Sequence, residues 1–334
     1  MAKKIKDTDY LAISARIKAM ETGLLTRERM EQVLEARSQE EAVKVLQECG
    51  YPELDARSPE TIDAALSAAR EATLTDLADG APDPRYIDIF KLKYDYHNIK
   101  AVLKAAAMNV SPDSMLMDMG RVPAAALKEA VQTGRLDELP EGLAAAAAEA
   151  KGVLDSTRDP QLSDIVLDRW CYQEMMALAE ETGSAFLAGY VKMQIDAANL
   201  RSLIRTLRMG KSADFLKTVL LEGGDIGTDA VAAAGNAGGS GLAELYGPTA
   251  LQAAAEAGAE ALRGGALTAF EKLCDDAVGD YLAGAQFVPF GEAPLLGYLA
   301  ARETEYTNIR ILLMGRGAGL SADVIRSRLR SSYV

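Results

Sequence analysis

Asp196-Ala197-Ala198-Asn199-Leu200-Arg201-Ser202-Leu203-Ile204 lies mid-chain, and close variants of it stand on either side. Upstream the chain reads Asp95-Tyr96-His97-Asn98-Ile99-Lys100-Ala101-Val102-Leu103. Downstream it reads Glu305-Tyr306-Thr307-Asn308-Ile309-Arg310-Ile311-Leu312-Leu313. The shared pattern is acid-x-x-Asn-aliphatic-basic-x-aliphatic-aliphatic. From Asn98 to Asn199 is 101 residues, and from Asn199 to Asn308 is 109. Thirteen residues beyond each Asn comes Ser111-Pro112-Asp113, Ser212-Ala213-Asp214 or Ser321-Ala322-Asp323. A register kept three times marks a triplicated unit of roughly 100 residues, too long for the helical-hairpin solenoid repeats.

Around these motifs the spacing is helical. Phe186, Tyr190, Met193, Ala197, Leu200, Ile204 and Leu207 recur at steps of four and three, one apolar stripe on a helix. Motif helices are expected over 85–108, 184–209 and 294–315. Each Ser-[Pro/Ala]-Asp is expected to open a short helix, with Ser as cap and Asp at the positive end of the dipole. Upstream, helices are expected from Thr8, Thr26, Ser38 and Ser58-Pro59, with a Ser38/Glu41 capping box and a stop at Gly50-Tyr51-Pro52. Gly235 to Gly241 reads as the most flexible stretch. The fold expected is all-α, with three similar helical-bundle domains over 1–119, 120–223 and 224–334. A junction before the first unit falls at Leu24-Leu25-Thr26.

On a wheel of 100° per residue, the Asn lies about 60° from the acid and the aliphatic positions lie near both. Asp95/Asn98, Asp196/Asn199 and Glu305/Asn308 therefore lie on the apolar face. There they act as polar ties setting helix register, or line a cleft that binds something. The basic residue falls on the far side. Lys100, Arg201 and Arg310 are then a solvated face or, around a threefold axis, a partner-facing ring of cations.

Composition narrows the function. The 334 residues carry 36 basic and 49 acidic side chains, a net charge of −13 that disfavours nucleic acid and anionic lipid. Cys49, Cys171 and Cys274 are scattered, and His97 is the single histidine, so no metal site is expected. Cys171 and Cys274 occupy equivalent positions and read as small buried side chains. No phosphate-loop or dinucleotide fingerprint is present, so no cofactor is expected. Gly315-Arg316-Gly317-Ala318-Gly319 reads as a helix end, and Arg326, Arg328 and Arg330 scatter around a helix. The basic stretch 1–6 lacks the apolar core of a signal peptide, and no run reaches the roughly 18–20 apolar residues of a spanning helix. Three separate copies of a polar pair argue against one catalytic centre, so no catalytic residue is assigned.

Ser38-Gln39-Glu40-Glu41-Ala42 leads to Leu46 and Tyr51, and Lys93-Tyr94 precedes the first motif. Together with the three motifs in order, these features resemble the C subunit of prokaryotic V/A-type rotary ATPases, equivalent to the d subunit of eukaryotic vacuolar ATPases. The resemblance covers nearly the whole chain. It implies a funnel of three pseudo-threefold domains between the central stalk and the membrane proteolipid ring. It further implies torque transmission without chemistry, in a cytoplasmic protein peripheral to the membrane and attached through its partner subunits. The alternatives are a soluble all-helical adaptor of another complex and a helical enzyme using one Asp/Asn pocket.

Overall fold

The computed structural model describes residues 5–52 and 54–333, so residues 1–4 of the basic N-terminal stretch lie outside the described residues. The chain is all-α, with no strand among the described residues. The helices are α1 (Leu11–Glu21), α2 (Arg27–Glu35), α3 (Gln39–Glu48), α4 (Pro59–Gly80), α5 (Arg85–Met108), α6 (Ala124–Thr133), α7 (Glu141–Thr157) and α8 (Pro160–Thr182). They continue as α9 (Ala185–Arg208), α10 (Ala213–Val219), α11 (Thr228–Asn236), α12 (Leu242–Tyr246), α13 (Gln252–Leu262), α14 (Leu267–Ala283), α15 (Glu292–Gly317) and α16 (Ala322–Arg326). The motif helices are α5, α9 and α15.

Local chemistry explains the boundaries. Side-chain oxygens of Thr26, Ser38, Ser58 and Asp159 accept backbone N–H groups at the starts of α2, α3, α4 and α8. Proline follows Ser58 and Asp159 at the first helical position, where no N–H is needed. The Ser38 cap differs in one detail from a capping box: the Glu41 carboxylate accepts from Arg37 N at 2.7 Å rather than from Ser38 N.

One expectation is corrected. After Ser111 only one 3-10 turn forms, Asp113–Met115, whereas helices follow Ser212 and Ser321. The stretch 235–241, expected to be the most flexible, takes in the end of α11 at Asn236 and a hydrogen-bonded turn. Gly239 N donates to Ala234 O at 2.9 Å, and a Cβ on Gly239 would meet Leu262 Cδ1 at 2.6 Å.

The chain forms two compact units. One comprises Met1–Asp83, Leu200–Ala213 and Asp229–Val334; the other comprises Pro84–Asn199 and Asp214–Thr228. In the first, α15 packs on α2, α3, α4 and α14, and Ile309 and Leu312 share a core with Val33 and Leu46, all fully buried. The two ends of the chain thus fold into one core. In the second, α5 packs on α6, α7 and α8 around fully buried Leu92, Ile99, Leu127, Leu143 and Leu167.

Candidate functional site

Each motif Asn grips the backbone of a single residue from two sides. Asn98 Nδ2 donates to Met117 O at 2.8 Å, and Asn98 Oδ1 accepts from Met117 N at 2.9 Å. Asn199 holds Leu221 O and N the same way, both at 2.8 Å. Asn308 holds Arg330 O at 3.1 Å and Arg330 N at 2.8 Å. The primary amide suits this role, because it offers one donor and one acceptor in a plane, as a neighbouring peptide group would. All three are buried, so the clamp works away from competing water. Each ties its helix to the segment 19 or 22 residues later.

The acids reach further. Asp95 Oδ1 accepts from Arg121 N at 3.0 Å and Val122 N at 3.2 Å, and Oδ2 accepts from Arg121 Nε at 2.8 Å. Asp196 accepts from Asp225 N at 3.0 Å and Ile226 N at 3.1 Å. Glu305 accepts from Leu25 N at 3.0 Å, from Arg302 Nη1 at 2.7 Å and from the Tyr51 hydroxyl. By the boundaries expected from sequence, Arg121-Val122 opens the second repeat and Asp225-Ile226 the third, while Leu25 lies at the junction before the first. The acid of each motif therefore holds the start of the next repeat, and the third holds the start of the first.

Glycine makes the two shorter reaches possible. A Cβ on Gly120 would lie 2.1 Å from Asp95 Oδ1, and one on Gly224 would lie 2.1 Å from Asp196 Oδ1. The equivalent position in the third link is Gly23, where a Cβ would meet only Met20 O at 3.5 Å, and there the acid is Glu, one methylene longer. Burial pushes both Asp carboxyls above the usual range; Arg121 and two backbone amides offset part of this at Asp95, and two backbone amides do so at Asp196.

The basic residues repeat this cyclic order. Lys100 Nζ pairs with Asp168 on α8. Arg201 pairs with Glu271 on α14 at 2.9 Å, and also with Asp275. Arg310 pairs with Asp63 on α4 at 2.6 Å. The carboxylate again belongs to the next repeat. Asp168 and Glu271 stand three residues before Cys171 and Cys274, and Asp63 three before the buried Leu66. A Leu at the third position fits the reading of these cysteines as packing residues. Burial raises both thiols to about 12, which keeps them protonated.

Sequence reasoning missed the neighbours that complete the links. Arg121 bridges Asp95 and Glu174, and Glu174 accepts from the Tyr96 hydroxyl at 2.7 Å. In the third motif the Arg302 guanidinium lies 5.2 Å from the Tyr51 ring and 4.9 Å from the Tyr306 ring. Only Tyr at acid+1 in two copies hinted at this, and the second copy has Ala197 there.

No two of the three acid/Asn pairs share a hydrogen-bond partner among the described residues, so the motifs do not converge on one site. Space beside Glu305 and Asn308 is about 10 Å³, room for a water at most. His97 Nε2 lies 3.0 Å from Met115 O, and no group of His, Cys, Asp and Glu among the described residues could hold a metal ion.

The sequence model of the ATP synthase (C/AC39) subunit family matches residues 13–328. The C subunit of the V-type sodium ATPase of Enterococcus hirae is 26% identical, over 97% of this chain and 99% of its own length. The C subunits of the A-type ATP synthases of Methanocaldococcus jannaschii and Thermococcus kodakarensis are each 25% identical over 96% of this chain, and over 86% and 90% of their own lengths. With a family match spanning nearly all of its residues, the chain belongs to the ATP synthase (C/AC39) subunit family.

Proposed function

We propose that this protein is a non-catalytic rotor subunit of a V/A-type ATPase, a socket that couples the central stalk to the membrane proteolipid ring and passes torque between them. In this reading 1–119, 120–223 and 224–334 are three domains around a pseudo-threefold axis, forming a funnel. The observation that carries it is the cyclic order of the links. Glu305 reaches Leu25 and Arg310 reaches Asp63 as Asp95 reaches Arg121 and Lys100 reaches Asp168. Head-to-tail contacts that return to their start are what a closed rotational arrangement requires. Backbone clamps in place of soft linkers suit a part that must turn as one body. No helix among the described residues is long and apolar enough to cross a membrane, so attachment to the ring runs through partner subunits. The reading places the protein on the cytoplasmic side, peripheral to the membrane.

Reconstitution tests this. The purified chain is expected to bind purified stalk subunits and purified proteolipid ring together, and to hydrolyse no ATP alone. Failure to join either component overturns the proposal; an adaptor of another complex would leave the ring unbound.

Lys100, Arg201 and Arg310 form a separable part of the proposal as partner-facing cations. A stalk carboxylate would have to share them with Asp168, Glu271 and Asp63. Replacing all three with Gln is expected to leave the protein folded and to weaken stalk binding most at low salt. Unchanged affinity by calorimetry would remove the three from the interface.

A further inference from the structure

The third motif Asn holds a different kind of segment from the other two. Asn98 grips Met117, two residues before the buried Met119, and Asn199 grips Leu221, itself buried beside Leu220. Asn308 grips Arg330, and from Arg326 to Tyr333 no residue is buried. Helix α16 ends at Arg326, and beyond it Leu329 lies partly buried against the core beneath.

What fastens this segment is polar. Arg326 donates to both carboxylate oxygens of Glu31 on α2, with Nη2 at 2.8 Å from Oε2. Arg330 Nε donates to Asp275 Oδ2 on α14 at 2.8 Å, and Ser331 N donates to Asp276 Oδ1 at 2.8 Å. Both aspartates are shared, Asp275 with Arg201 and Asp276 with Lys272. The Tyr333 hydroxyl donates to Glu21 Oε1 on α1 at 3.0 Å. The segment thus crosses from α14 and α15 to α1 and α2 as a strap.

Space lies on both sides of it. A cavity of about 400 Å³ beside Arg27, Met30 and Lys272 and one of about 20 Å³ beside Asp280 and Thr304 both have Ser331 and Ser332 in their walls. The strap is therefore a partition, and lifting it joins the two spaces. Ser332 and Tyr333 also close the small space beside the buried Glu305 and Asn308.

The kind of contact decides how readily the strap lifts. Partly exposed ion pairs are weak and screened by salt, whereas the apolar burial at Met119, Leu220 and Leu221 is not. A segment with few buried contacts opens locally, far below the free energy of global unfolding. We infer that Arg326 to Tyr333 is a reversible strap, released by ionic strength while the helices stay folded, and that its release uncovers the Glu305/Asn308 clamp and opens the cleft between α2 and α14.

Hydrogen exchange of the full chain tests this at about 0.05 M and about 0.5 M sodium chloride, where the screening length differs severalfold. Mass spectrometry reads peptides covering 327–333, 305–313 and 85–108, with a free peptide of sequence 327–333 as the unprotected reference. The amides of Arg330 and Ser331 report the strap, because side chains of Asn308 and Asp276 accept from them. They are expected to exchange about a hundredfold or more faster than those of 305–313, and about threefold to tenfold faster again at the higher salt. Arg326→Gln with Arg330→Gln should show the high-salt rate already at low salt and lose the salt response, with 85–108 unchanged. Lys151→Gln, which removes an exposed ion pair on α7, should leave the strap as in wild type. Exchange at Arg330 and Ser331 as slow as in 305–313 would mean that the strap opens only with the core. Protection indifferent to salt and to the double substitution would mean that charge does not hold it. Either result overturns the proposal.

Discussion

Gly224→Ala is expected to destabilise the protein by about 3–5 kcal/mol, although it adds one methyl group to a surface turn. The new Cβ would lie 2.1 Å from Asp196 Oδ1, 2.9 Å from Asp196 Cγ and 3.2 Å from Ile195 Cγ2. Asp196 must then retreat from Asp225 N and Ile226 N, leaving a buried carboxylate short of two charge-assisted bonds, each worth about 1.5–3 kcal/mol. Gly120→Ala meets Asp95 in the same way and should cost a similar amount. Urea denaturation measures both. Gly152→Ala supplies the contrast: it sits within α7 with nothing inside 4 Å of its Cβ, and should stabilise by about 0.5–1 kcal/mol. A Gly224→Ala midpoint equal to wild type would show that the carboxylate does not hold this turn.

Asn199→Asp is expected to cost about 3–5 kcal/mol at neutral pH while changing one atom. Asn199 is fully buried; its Nδ2 feeds Leu221 O and its Oδ1 receives Leu221 N. A carboxylate keeps the second bond and sets its charge against the carbonyl oxygen of the first. Protonation restores a donor, so the introduced carboxyl should titrate above its unfolded value of about 3.9. The sign follows from linkage: a folded pKa raised above the unfolded one gives stability that is present below the unfolded value and lost as pH rises through the folded value. The deficit relative to wild type should thus be small near pH 4 and large at pH 7. Paired urea melts at the two pH values decide it. A deficit independent of pH would mean that the side chain has swung out of the clamp.

Much of the helical layout was legible locally. The expected helix 85–108 and α5 coincide, because Pro84 precedes the first turn and Asn109 ends the last one in the left-handed region, with φ of 54°. The helix expected from Pro294 starts at Glu292, since proline fits a first turn without having to begin it. The short helix after Ser111 was overestimated: the same cap chemistry sustains only one 3-10 turn there. The wheel also placed the polar pair correctly as to burial, since 100° per residue is a property of the backbone and needs no neighbour. Asp95 and Asn98 are fully buried, and the Lys100 side chain keeps 21% of its exposure.

The partners were not legible. The pattern around Asp196 cannot say that its carboxylate reaches residues 29 and 30 positions away, nor can Glu305 announce a bond to a residue 280 positions earlier. The role of Gly120 and Gly224 appears only once a carboxylate is seen where a Cβ would stand.

By itself, then, the sequence determined an all-helical chain, a unit stated three times and a polar pair turned inward, because helical periodicity and capping depend on residues within a few turns of one another. Tertiary structure alone decided the partners: Asp95 holds Arg121 and Val122, Asp196 holds Asp225 and Ile226, Glu305 holds Leu25, and Lys100, Arg201 and Arg310 pair with Asp168, Glu271 and Asp63. Those facts depend on which backbone amides and carboxylates the chain's reversals bring within about 3 Å of a buried side chain, a distance no local pattern encodes.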